Sequence, residues 1–217
     1  MNLINPLSID ERDRLKNSRV CIVGCGGIGG YAAEFLIRLG VKNLTVVDGD
    51  RFDESNLNRQ ILCTKDSIGK CKATAVKERA LSIAPEVCLK DINEFITEDN
   101  VRSVIAESEL VIDALDNFES RKLLYTACSE LGIPMLFGAI GAWQVQVGLL
   151  TSGCGFFDDI PAAPEAHGEN VLPFVPAMCA AVQVSEAVKL LSGSGSALEG
   201  KIMSIDLFTN ERITIDI

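Results

Sequence analysis

A continuous apolar run at residues 20–23 leads into Gly24-Cys-Gly-Gly-Ile-Gly29, and an apolar-periodic segment follows over residues 28–39. An uninterrupted apolar run of this length fits a strand covered on both faces. Glycines crowded at its exit fit a tight strand-to-helix turn. The unit therefore calls for a sheet with helices on either side. The same alternation recurs downstream. Residues 44–47, 87–92, 110–114 and 133–137 read as strands. Residues 68–83, 97–106 and 117–131 read as helices, the first ended by Pro85, the second capped by Thr97 and the third closed by Gly132. Residues 8–17 predict a short charged helix ahead of the first strand.

Strand–helix alternation through residue 137 means parallel strands joined by right-handed crossovers. After Gly141 the pattern changes. Residues 145–151 read as an antiparallel strand, 174–191 as a helix, and 201–207 with 213–217 as a hairpin around Thr209-Asn210. Between them, residues 152–173 form a long crossover loop with Asp158, Asp159, Glu165 and Glu169 and no periodicity. The fold class is α/β: a doubly wound, mostly parallel Rossmann-like sheet with antiparallel C-terminal strands. The 217 residues are expected to form one domain.

Gly24, Gly26, Gly27 and Gly29 fit Gly-x-Gly-x-x-Gly after a strand and before a helix. Such a turn lets the backbone approach a phosphate beside the free N–H groups of a helix N-terminus. A tight turn with no ligand is the competing reading. Asp48 ends the second strand about twenty residues later, where an acid accepts from ribose hydroxyls. To this point NAD and ATP are served equally.

The next stretch separates them. It runs Asp48-Gly-Asp-Arg-Phe-Asp-Glu-Ser-Asn-Leu-Asn-Arg-Gln60, with Lys72 on the following helix. Asp50, Asn56 and Gln60 add polar groups, and Arg59 and Lys72 add two cations. Cleaving ATP at its phosphates builds negative charge that such cations stabilise, whereas an NAD site needs no extra pair. Lys72 equally fits a solvated helix face, since Lys65, Lys70 and Lys77 lie nearby. Asp116 and Asn117 follow the 110–114 strand at its C-terminal end, the edge where ligands bind in such sheets. Asp116 is a candidate Mg²⁺ ligand bridging the phosphates; a helix N-cap is the other use of Asp or Asn here. Asp113 reads as a buried partner at the strand edge. Arg59, Lys72 and Asp116 are the catalytic candidates.

A net charge of −10 argues against a nucleic-acid footprint and suits small-molecule or protein partners. No apolar run reaches the roughly eighteen residues of a membrane span. The first ten residues hold no basic-then-apolar leader, so a cytoplasmic protein is expected. Eight cysteines form no Cys-x-x-Cys, and His167, the one histidine, reads as solvated. No zinc is expected from that set. Most thiols read as small buried hydrophobes, Cys179 among them. Cys154, between Gly153 and Gly155, is placed to be more exposed but has no neighbouring cation to activate it.

Taken together these residues resemble the ThiF/MoeB/HesA family, relatives of the ubiquitin-activating enzymes. The resemblance runs over residues 16–191. It rests on Asp48-Gly-Asp, Ser55-Asn-Leu-Asn-Arg-Gln60, Ile68-Gly-Lys-Cys-Lys72, Asp113-Ala-Leu-Asp-Asn117 and Gln183-Val-Ser-Glu-Ala-Val-Lys189. It implies an ATP-dependent adenylyltransferase working as a homodimer. A ubiquitin-like sulfur-carrier protein ending in Gly-Gly would present its terminal carboxylate to ATP·Mg²⁺ and leave as an acyl-adenylate, with release of pyrophosphate. The setting would be thiamine or molybdopterin/tungstopterin-type cofactor biosynthesis. By motif position the resemblance implies Asp48 on the ribose, Asn56, Arg59 and Lys72 on the phosphates, and Asp116 on the metal.

The chain departs from that family in three ways. It lacks the paired Cys-x-x-Cys zinc ligands. The crossover loop has no cysteine beyond Cys154. Ahead of the first strand and its flanking Arg19, Arg12 and Arg14 lie too close to the strand to match the arginine segment with which relatives reach the partner's site. The alternatives are a tRNA threonylcarbamoyladenosine dehydratase, which the charge of −10 disfavours, a peptide-adenylating enzyme, and a non-catalytic member. Protein purified without added metal is expected to carry well under one zinc per chain by elemental analysis. A stoichiometric zinc would mean that cysteines distant in sequence converge.

Overall fold

The computed structural model describes residues 6–159 and 171–217. Ser8 accepts from the Glu11 N–H and Glu11 accepts from the Ser8 N–H, a capping box that starts α1 (Ile9–Asn17). The doubly wound part follows as β1 (Arg19–Val23), α2 (Gly27–Arg38), β2 (Asn43–Val47), α3 (Lys72–Ile83), β3 (Cys88–Ile92), α4 (Val101–Ile105), β4 (Leu110–Asp113), α5 (Phe118–Leu131) and β5 (Met135–Ile140). The remainder is β6 (Gln144–Leu150), α6 (Phe156–Asp159), α7 (Phe174–Ser192), β7 (Lys201–Asp206) and β8 (Glu211–Asp216).

These strands make an eight-stranded sheet in the order β3-β2-β1-β4-β5-β6-β7-β8. Pairing is parallel from β3 to β5 and antiparallel from β5 to β8, the expected fold class. Successive residues of a strand point to opposite faces, so each central strand feeds two cores. Val20, Ile22, Ile112 and Leu136 pack with α2 and α7 residues such as Leu36 and Val184. Cys21, Val23, Val111 and Met135 pack with Ile105 of α4 and Leu124 of α5. Double coverage is why these strands read as unbroken apolar runs.

Several boundaries differ from expectation. α3 begins at Lys72 and not at residue 68, because residues 65–67 form a separate 3-10 turn and Gly69 takes φ +82°. α4 covers only Val101–Ile105; Thr97 does not cap it, but donates its N–H to the Asn100 side chain at 2.7 Å. β5 extends to Ile140 because antiparallel β6 pairs along it. The segment read as an unstructured crossover opens with α6. Glu165, Glu169 and His167 lie outside the described residues.

α7 also qualifies the sequence expectation on membrane spans. Among the described residues it alone is long and apolar enough to cross a bilayer, with a mean hydropathy of 1.4. Here its apolar face is the lid of a core. Val175, Cys179, Ala180 and Ala187 are fully buried, and the Gln183 amide donates to the sheet carbonyls of Asp113 and Leu136. Ile112, at the centre of β4 and fully buried between Ile22 and Leu136, is the position where lost volume is least able to collapse. Ile112→Ala is expected to cost about 2–5 kcal/mol, read as a lower urea midpoint with an unchanged slope.

Candidate functional site

β1 lies between β2 and β4. The chain winds outward from it in both directions, and a crevice opens beyond the strand C-termini. A cleft of about 510 Å³ occupies that crevice, with Gly26, Asp48, Lys72, Asp116 and Arg121 on its walls.

The glycine loop is shaped by close backbone approach. Gly24 has φ +94°, and a Cβ there would press on the Ala114 carbonyl; a Cβ on Gly29 would overlap the Gly24 carbonyl oxygen. Neither position admits a side chain without moving main chain. The N-cap of α2, Gly26, offers no side chain to the first helical N–H groups, and Gly27 and Ile28 of that first turn line the cleft. Asp48 fastens the loop to β2. Its Oδ2 accepts from the Cys25 N–H at 2.7 Å and its Oδ1 from the Asp50 N–H at 2.8 Å. Burial pushes its carboxyl above the usual range, against those two hydrogen bonds. A carboxylate has about four acceptor positions, so capacity remains for ribose hydroxyls.

Lys72 is not on a solvated face. Its side chain is 9% exposed, and its Nζ lies 3.1 Å from Asp50 Oδ2. Its backbone N–H donates to the Asp50 carbonyl at 3.0 Å, which registers the start of α3 against the site. Lys65, Lys70 and Lys77 by contrast pair with Glu54, Glu78 and Asp91 in far more exposed positions. Arg59 reaches the cleft with its guanidinium on the Ser55 carbonyl (2.9 Å) and Asn58 Oδ1 (2.8 Å). It pairs with no carboxylate among the described residues. Gln60 is buried against Gly26, and its Oε1 has no hydrogen-bond partner among the described residues.

Asn56 stands apart from the expected phosphate set. It is buried, its Oδ1 accepts from the Asp53 N–H, and it does not line the cleft. Its carbonyl accepts from the N–H groups of both Arg59 and Gln60. Asn56 thus builds the turn that presents those two residues.

At the opposite wall, Asn117 takes the N-cap of α5, its Oδ1 accepting from the Ser120 N–H at 2.9 Å. That leaves Asp116 exposed on the cleft wall, with only a 3.4 Å contact from Asn117 Nδ2. Mg²⁺ is commonly held by one or two carboxylates together with substrate phosphates, and Asp116 fits that role. Among the described residues no group of three or more His, Cys, Asp or Glu is placed to hold a metal ion. Asp113 is fully buried, and burial pushes its carboxyl up.

Arg121 and Phe95 escaped the sequence expectation. Arg121 enters the cleft from the first turns of α5, where a cation opposes the helix dipole. That misplaced charge is the signal the sequence carried. Phe95 covers Gly49 at the rim, and nothing local in the sequence marks it. Of the thiols, Cys21, Cys25, Cys63, Cys128 and Cys179 are buried, and burial pushes Cys179 up to about 12. Cys154 is half-buried with its S–H on the Tyr125 hydroxyl at 3.2 Å, and Cys88 is exposed.

A glycine loop, a carboxylate at the exit of β2 and a buried lysine, all at the switch point of a doubly wound sheet, define a nucleotide-binding α/β protein. The chain belongs to the ThiF family, which it matches over residues 1–217. It is 34% identical over 211 residues to the SAMP-activating enzyme E1 of Haloferax volcanii, covering 94% of this chain and 78% of that one. It is 31% identical over 218 residues to the molybdopterin-synthase adenylyltransferase of Escherichia coli, covering 95% and 86%. It is 32% identical over 210 residues to the sulfur carrier protein adenylyltransferase of Thermus thermophilus, covering 91% and 78%. Among solved structures, E. coli MccB with MccA-N7isoASN shares the fold at TM-score 0.86 and 20% identity, covering 96% of this chain and 67% of that one.

The tightest element of the site is the Gly24–Gly29 contact. Gly29→Ala is expected to cost about 1–3 kcal/mol through forced main-chain displacement. It should also weaken ATP binding measured by calorimetry; unchanged stability and affinity would show that the loop has room the contact denies.

Proposed function

We propose that this chain is an ATP-dependent adenylyltransferase. In this reading it activates the C-terminal glycine carboxylate of a ubiquitin-like sulfur-carrier protein as an acyl-adenylate. The observation that carries the proposal is Lys72: a buried ammonium on the cleft wall, beside Asp48 and Asp50, in a cleft also lined by Arg59, which pairs with no carboxylate among the described residues. A site built only to hold a nucleotide by its ribose and one phosphate has little use for that charge. The names of the family relatives point the same way, since three of them are activating enzymes or adenylyltransferases.

The chemistry follows from these groups. Asp48 accepts from the ribose hydroxyls, and the α2 N-terminus with Arg59 and Lys72 faces the phosphates. The carrier's carboxylate is already ionised at neutral pH, so no general base is needed. Its oxygen forms a bond to the α-phosphorus while the bond from that phosphorus to the bridging oxygen breaks. The electron pair leaves with pyrophosphate. Lys72 exchanges Asp50 for phosphate oxygens, and its charge counts most where charge accumulates, in the transition state. Asp116 would hold Mg²⁺, which supplies neutralisation of the phosphate charge when bound. Gln60, with its unclaimed buried acceptor, and Asn117 border the same space.

A homodimer and a cytoplasmic setting complete the proposal. The first rests on the family resemblance, the second on the need for ATP as substrate. The charge of −10 disfavours the RNA-modifying alternative.

The test is exchange of labelled pyrophosphate into ATP, dependent on carrier, over a panel of carriers ending in Gly-Gly. Arg59→Ala and Lys72→Ala should each lower the rate about 10²-fold or more, with smaller changes in ATP affinity. Asp116→Asn should abolish most exchange with the fold retained, and wild-type exchange in that variant would remove Asp116 from the metal role.

A further inference from the structure

Among the described residues, the Asp116 side chain has only the 3.4 Å contact from Asn117 Nδ2. Its position must therefore come from the main chain, and the residue that grips that main chain is Arg121. Arg121 is 11% exposed, and its Nε and Nη2 both donate to the Leu115 carbonyl, the Nε at 3.1 Å. Its Nε also lies 3.9 Å from Asp113 Oδ2, a buried carboxylate oxygen without a hydrogen-bond partner. Its guanidinium sits 5.1 Å above the centre of the Phe137 ring. Asp113 Oδ1 accepts from the Leu115 N–H at 3.0 Å, so Leu115 is held at both its N–H and its C=O. From α7, Gln183 Nε2 fixes the Asp113 carbonyl at 2.8 Å. Leu115 is thus gripped on both sides of its Cα, the Ala114 N–H just before it donates to the Val23 carbonyl at 2.9 Å, and a forked planar cation supplies both bonds to the Leu115 carbonyl.

We propose that Arg121 is a positioning residue for the divalent-cation site, setting Asp116 against the glycine loop through the Leu115 carbonyl. The proposal rests on the reading of Asp116 as the metal ligand. The fork is what matters: lysine carries the same charge but cannot offer two coplanar donors to one oxygen. Phe137 and Asp113 fix the plane of the fork, so the carbonyl has one position. Groups that orient a metal ligand without touching the metal are worth about 10–100-fold in metal affinity.

The experiment measures Mn²⁺ by electron paramagnetic resonance with the full chain and α,β-methylene ATP, comparing wild type, Arg121→Lys and Asp116→Asn. Nucleotide affinity is measured separately in EDTA. Arg121→Lys is expected to weaken Mn²⁺ binding in the ternary complex about tenfold while leaving metal-free nucleotide affinity within about twofold. Arg121→Gln, which keeps an N–H donor and loses the charge, carries the same expectation where the lysine variant does not fold. Wild-type Mn²⁺ affinity in these variants overturns the proposal, as does a parallel loss of metal-free nucleotide affinity, which is what general loosening of the cleft would give. Asp116→Asn separates the two levels. If it loses Mn²⁺ while Arg121→Lys does not, only the positioning role falls. If Asp116→Asn binds Mn²⁺ as wild type does, the metal role of Asp116 falls and this proposal with it.

Discussion

One carboxylate ties two strand exits together. Asp48 accepts from the Cys25 N–H through one oxygen and from the Asp50 N–H through the other, while the Gly24 N–H donates to the Val47 carbonyl at 2.8 Å. The exits of β1 and β2 become a single rim. Asp50, placed by that arrangement, then receives both the backbone N–H and the Nζ of Lys72, so the start of α3 is set from the same point. Desolvating the Asp48 carboxyl is costly, and charge-assisted hydrogen bonds from main-chain N–H groups offset only part of that cost. Without Asp48 the glycine loop would keep its strand and its helix but lose its register to the lysine.

The cleft concentrates opposite charges inside an acidic protein. Arg59, Lys72 and Arg121 come from a turn, a helix start and a second helix, and each is held differently. Arg59 rests on neutral acceptors, Lys72 on an exposed carboxylate, and Arg121 on a carbonyl with a buried carboxylate beside it. The first two can turn toward an anion, since their present partners are neutral or water-accessible. The third is committed to the main chain. Partial exclusion of water strengthens every such interaction relative to the surface, so in a chain of net charge −10 the cleft is one place where Arg59 and Lys72 could meet an anion. Between α2 and α3, Glu34 binds both Arg38 and Arg79, and these bonds hold its carboxyl below the usual range. The starts of both helices border the cleft, and the pairing braces them together.

Much of the site was legible because its logic is local. The glycine turn, the acid at the end of β2 and the Asp116-Asn117 pair each follow from what a strand exit in a doubly wound sheet must do. Asn56 shows the limit. Its neighbours Arg59 and Gln60 do face the cleft, yet a residue three positions before Arg59 in a 3-10 turn is buried inside it, and its carbonyl serves their N–H groups. Arg121 shows the reverse: an arginine in an ordinary helix face becomes a clamp only when Leu115, Asp113 and Phe137 arrive from β4 and β5.

What the sequence by itself determined was the layering and the place of the crevice. Apolar runs without polar interruption dictate strands covered twice, and the glycine cluster dictates a tight strand-to-helix turn at the sheet edge. What only the tertiary structure decided was the commitment of each charged or polar side chain. Lys72 among nearby Lys65, Lys70 and Lys77, Asn117 rather than Asp116 as the helix cap, and Asn56 as scaffold were all undecided by spacing. Spacing sets direction along one element, whereas burial and partners depend on which other element arrives, and here that is decided by the packing of α3, α5 and α7 on the sheet.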